Sequence, residues 1–144
     1  MSGDTPIDKA ISQAKAIDKT NDNRYIFYHG TDLASAIALL NGAPLEISIA
    51  LKKRHDIGDL GFYLATHYDV AYHYATVRGT EGTILQYLLT QQALSELIGS
   101  GCIFKKITPG KNFYPPGLEL FVPPTSFASF NMLRETEQIQ VLPD

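Results

Sequence analysis

Apolar positions along this chain follow two rhythms, one of three-and-four spacing and one of short β-forming runs. Ile7, Ala10, Ile11, Ala14 and Ile17 recur three and four apart, which predicts one apolar stripe on a helix over residues 5–19. Thr5-Pro6 supplies its cap and first-turn proline, and residues 20–24 read as a polar loop. Tyr25-Ile26-Phe27-Tyr28 is a short strand of β-formers, with Gly30 expected to stop it. Thr31 or Asp32 then caps a helix through Ala34, Ile37, Ala38, Leu39 and Leu40, ended by Asn41-Gly42. Residues 43–60 form the longest irregular segment, a length that in a compact domain is often functional. Gly61 to Ala65 is the second strand, and Thr66 or Asp69 starts a helix through Val70, Ala71, Tyr74 and Val77. A strand over 83–89, a small helix through Leu94, Leu97 and Ile98, and a strand over 102–107 follow. A turn-rich loop then leads to a strand over 118–122, a helix over 126–133 and a final strand over 138–142.

Several of these strands follow one another with only loops between them. That pattern predicts an α+β fold with a largely antiparallel or split sheet, rather than a regular βαβ series. Neither G-x-G-x-x-G nor G-x-x-x-x-G-K occurs, so the usual phosphate-cradling loops are absent. Residues 1–24 read as an N-terminal helix and linker, and 25–144 as a single domain. A hydrophobic fraction of 44% over 144 residues suits one core. Met1 to Thr20 has no apolar h-region, so neither a secretory signal nor a membrane span is expected there. A net charge of -3 argues against broad, nonspecific binding of nucleic acid. Cys102, the sole cysteine, cannot form an internal disulfide and reads as a small core residue rather than a nucleophile. His55, His67 and His73 show no metal-ligand spacing with carboxylates or Cys102, so no metal site is expected.

Four features carry candidate chemistry. His29 closes a strand and is followed by Gly30, whose missing Cβ lets a ligand reach backbone N–H and C=O. A satisfied turn histidine is the plain alternative. Tyr63 and Tyr74 stand eleven residues apart across a strand–turn–helix, a spacing that can bring two rings around a planar group; two core tyrosines would read the same way. Glu119 is the one carboxylate in Leu118-Glu119-Leu120-Phe121-Val122, where a charge needs a partner or a role. Alternation puts it on the face opposite Leu118, Leu120 and Val122, together with Phe121. Lys52-Lys53-Arg54 either meets a diphosphate or sits in water.

Taken together, these pieces resemble the ADP-ribosyltransferase superfamily in its His–Tyr–Glu branch, which includes the poly(ADP-ribose) polymerases and the diphtheria-toxin group. Tyr28-His29-Gly30-Thr31 resembles the first motif of that family, Gly61-Phe62-Tyr63-Leu64-Ala65 the second, and Glu119 best fits the third. The resemblance implies a split-sheet core with peripheral helices and NAD as a consumed substrate. It implies that His29 bonds the adenosine-side ribose, with Thr31 beside it, and that Gly30 clamps the nicotinamide amide. Tyr63 and Tyr74 would sandwich the nicotinamide ring, Ala71 and Arg54 would line the NAD site, and Glu119 would bond the 2′-hydroxyl of the nicotinamide ribose. Two positions depart from the pattern: Ala71 stands where the polymerases have serine, and Gly117 precedes Glu119 by two where other toxins carry Gln or Glu. Glu135 and Glu137 are further candidates for the third motif. The expected activity is mono-ADP-ribosyl transfer to an acceptor, in the manner of a toxin or effector with an immunity protein among its partners. It would work in the cytoplasm, its own or that of a target cell. An NAD glycohydrolase and a catalytically silent ADP-ribose- or protein-binding module are the alternatives.

Overall fold

A computed structural model describes residues 17–46, 61–68, 71–72, 82–107 and 117–144. The helix expected over residues 5–19 lies outside the described residues through position 16, as do residues 47–60 and the loop at 108–116. The expected end of that helix at 17–19 is not helical, because Lys19 bridges to Tyr25 and the Asp18 carbonyl accepts from Ile26 N–H at 2.9 Å.

The β-forming runs become six strands: β1 (Tyr25–Asp32), β2 (Phe62–Ala65), β3 (Gly82–Leu89), β4 (Ile103–Ile107), β5 (Gly117–Val122) and β6 (Ile139–Pro143). They form one antiparallel sheet in the order β4-β5-β2-β1-β3-β6. Three described helices accompany them: α1 (Leu33–Leu40), α2 (Gln91–Gly99) and α3 (Phe127–Glu135), the last entered through a 3₁₀ turn at Pro124–Ser126. The chain is therefore α+β.

Alternation sorts the sheet into two faces. Phe27, Leu64, Leu85, Tyr87, Leu89, Leu120, Val122 and Ile139 fall on one face and are almost wholly buried. Ala36 from α1, Leu94 and Leu97 from α2, and Phe130 and Leu133 from α3 close over that face in one apolar cluster. Two of the helices are started by side-chain caps. Asp32 caps α1, its side chain accepting from Ser35 N–H at 2.7 Å, and Thr90 caps α2 by accepting from Ala93 N–H at 3.0 Å. After α1, Gly42 takes φ +92° so that Ala43 N–H reaches the Ala38 carbonyl at 3.0 Å, a turn open to a residue without a Cβ.

Two expectations are corrected here. Gly30 does not stop β1: the ladder with β3 runs from Tyr25↔Leu89 to Asp32↔Gly82, and these cross-strand bonds outweigh the weak strand preference of glycine. Cys102 precedes β4 rather than joining it. Its N–H bonds the Leu97 carbonyl at 2.9 Å behind α2, and burial pushes its thiol up to about 11, far from the thiolate a nucleophile needs.

The sheet is unevenly joined. β1 and β3 pair along their full lengths, and β2 pairs with β5 from Phe62↔Val122 to Ala65↔Glu119. Between β1 and β2, among the described residues, a single pair remains, Tyr28↔Ala65. Continuing that register would set Gly30 against Tyr63, but no such pair forms. The sheet opens at this point.

Candidate functional site

The opening between β1 and β2 is bridged by a side chain. His29 Nδ1 lies 2.9 Å from the backbone carbonyl of Tyr63. A carbonyl oxygen only accepts, so Nδ1 carries a proton and donates it to Tyr63. The ring is held in that pose by stacking on Phe62 at 4.2 Å and 28°, with Tyr87 edge-on at 6.1 Å. Phe62 and Tyr87 in turn rest against Phe130, at 5.6 and 6.0 Å. A histidine at the seam of the sheet is thus seated on the aromatic part of the core.

Tyr63 and Ala65 point to the face opposite the core. Cross-strand pairing places Phe121 beside Tyr63 and Glu119 beside Ala65, on that same face. Gly30 shares this face by its register with Tyr28; His29 and Thr31 share the other. The Tyr63 and Phe121 rings meet at 5.1 Å and 42°. Glu119 is only 7% exposed, so this second face is not plain solvent at β5. On the far flank, Lys105 of β4 stands directly across from Glu119, with its ammonium 4.3 Å from the centroid of the Phe121 ring and 5.9 Å from that of Tyr63.

Gly61 makes this ring pair possible. A Cβ there would lie 2.4 Å from Phe121 Cε1 and 2.6 Å from the Val122 carbonyl oxygen. The ring can give way; the backbone oxygen cannot do so without moving β5. Gly61→Ala should therefore cost about 1–3 kcal/mol of stability, read as a lower urea midpoint at unchanged slope. A midpoint equal to that of the wild type would show that β5 yields at no cost.

Ala71 is 1% exposed and packs with Ile84 and Tyr28 over β1 and β3. The Thr66 hydroxyl pairs with His67 Nδ1 at 2.7 Å. Tyr74 and Arg54, expected in the NAD site, lie outside the described residues. Glu135 and Glu137 are exposed at the end of α3, with Glu137 at φ 62° in the turn that stops the helix. The structure thus sets His29 and Gly30 of β1 and Tyr63 of β2 at the seam, His29 on the core face and the other two on the opposite one, with Glu119 one strand farther on β5. The sequence reading missed Lys105 and the shelf role of Phe121. Both depend on which residue of β4 faces which residue of β5, and a periodicity within one strand carries no such information.

Among the described residues, no group of three or more His, Cys, Asp or Glu side chains is gathered as a metal site would need, and no helix is long and apolar enough to cross a membrane. Comparison with protein-family models, curated proteins and solved structures finds no match to this chain.

Proposed function

We propose that this chain is an NAD-dependent mono-ADP-ribosyltransferase that breaks the nicotinamide glycosidic bond and passes ADP-ribose to an acceptor. The observation that supports it best is the seam itself: β1 and β2 joined, among the described residues, by one pair at Tyr28↔Ala65 and bridged by His29 to the Tyr63 carbonyl, with Tyr63 and, one strand over, a buried Glu119 on one face. The opening is in keeping with the split-sheet core that the motif resemblance implies. No ladder pair joins Gly30 to Tyr63, whose carbonyl bonds His29; at this gap a carboxamide finds the Gly30 backbone and a planar ring finds an aromatic wall.

Departure of nicotinamide needs no acid, and the acceptor that then bonds C1′ gives up its O–H or N–H proton to solvent. As the bond from C1′ to the nicotinamide nitrogen breaks, its electron pair goes to that nitrogen and cancels the pyridinium charge. The leaving group needs no proton. The sugar carbon becomes oxocarbenium-like, as in glycoside hydrolysis. An ionised carboxylate held beside it stabilises that cation, and this is the role assigned to Glu119. Tyr63 stacks the nicotinamide, and His29 holds the ribose on the adenosine side.

NAD labelled in its adenylate half, incubated with the protein and a cell lysate, tests the reading. Label fixed on a protein, nucleic acid or small-molecule acceptor is the expected result. Label found only as free ADP-ribose would make the protein a glycohydrolase, and unconsumed NAD would leave a binding module.

A further inference from the structure

The Tyr63–Phe121 shelf is occupied in this structure by the protein's own cation. The Lys105 ammonium sits 4.3 Å from the Phe121 centroid and 5.9 Å from the Tyr63 centroid, the arrangement in which ring quadrupoles attract positive charge. Phe121 is 7% exposed and its ring edge fills the space a Cβ on Gly61 would take, so the shelf is a built feature of the fold. Its ring is aimed at the same face as Tyr63 and Glu119. Lys105 belongs to β4 and reaches the shelf from the flank away from β1.

A shelf that holds an ammonium in this way suits a planar organic cation better than a neutral ring of the same shape. We infer that it is a binding site for a pyridinium cation, with Phe121 as its second ring, and that Lys105 is a resident competitor which the incoming cation must displace. The inference rests on the NAD reading of the site and deepens it. The nicotinamide of NAD is cationic before cleavage and neutral after it. Lys105 therefore raises the threshold for substrate entry, and once the ring has lost its charge the shelf holds it less firmly than it holds the ammonium. Lys105 and Phe121 act here as specificity-determining residues.

The test uses the full chain and two small probes, 1-methylnicotinamide, which is permanently cationic, and nicotinamide, which is neutral. Binding is followed by titration calorimetry or by ring-proton shifts, with no turnover involved. Lys105→Met should bind the cation about 2- to 30-fold more tightly than wild type, the span of a cation–π contact, while neutral nicotinamide changes by less than about 2-fold. Lys105→Arg keeps the charge and should match wild type. Adding Phe121→Leu to Lys105→Met should remove the gain. Cation binding that is absent, unchanged or weaker in Lys105→Met overturns the inference, as does an equal gain for the neutral probe. Tight cation binding by Lys105→Met in a protein that leaves NAD intact would instead remove the catalytic reading and keep the shelf.

Discussion

Glu119→Gln should slow nicotinamide release from NAD by about 100- to 1,000-fold, the usual cost of losing one preorganised electrostatic contact at a developing charge. The substitution keeps shape and removes charge. Glu119 is 7% exposed in a strand paired on both sides, to Ala65 of β2 and to Lys105 of β4, so its backbone is fixed by ladders that the amide leaves untouched. The urea midpoint should accordingly move little, and the loss should fall on kcat rather than on KM, because the carboxylate acts on a charge present only as the bond breaks. Undiminished release by a folded Glu119→Gln protein would transfer the role elsewhere. Glu135 and Glu137 are poor heirs, since both are exposed at the end of α3.

Phe130→Ala should cost about 3–5 kcal/mol in urea denaturation, the largest stability effect expected of any single change discussed. Phe130 is 1% exposed on α3 and touches the rings of Phe62 and Tyr87. Those two rings are the seat of His29, on Phe62 at 4.2 Å and against Tyr87 at 6.1 Å. Removing the ring leaves a cavity beneath the seam as well as exposing apolar surface. Tyr87 is itself deeply buried, its phenol pushed up by desolvation, and its hydroxyl has no hydrogen-bond partner among the described residues, so a water entering the cavity finds one polar group to bond. In the variant that remains folded, activity should fall together with the order of His29. A cost below about 1 kcal/mol would mean that the core collapses readily around the gap and that the ring stack does not support the seam.

Much of this architecture was legible in the residues. The β-forming runs, the cap at Asp32 and the stop at Asn41-Gly42 are local signals, carried by side chains within a few positions of the feature they make. The end of β1 was not, because the ladder with β3 decides whether a strand runs on through Gly30 to Asp32. The site divides in the same way. His29, Gly30, Tyr63 and Glu119 were readable as residue types at strand ends and in an apolar run. Their relation was not: His29 lies on the core face and reaches the other strand only through the Tyr63 carbonyl, at a place where the expected pairing fails. Nor could Gly61 be read as the space for a ring of β5, since that close approach joins residues sixty positions apart. Tyr74 and Arg54 stand on sequence alone.

The central claim is that the seam between β1 and β2 cleaves NAD. The most direct measurement is the release of nicotinamide from NAD by the purified full chain, followed chromatographically with and without a cell lysate. Release that depends on Glu119, and that is faster with lysate when an acceptor is required, is the predicted result. No release under either condition, from a protein whose urea transition shows it to be folded, would contradict it.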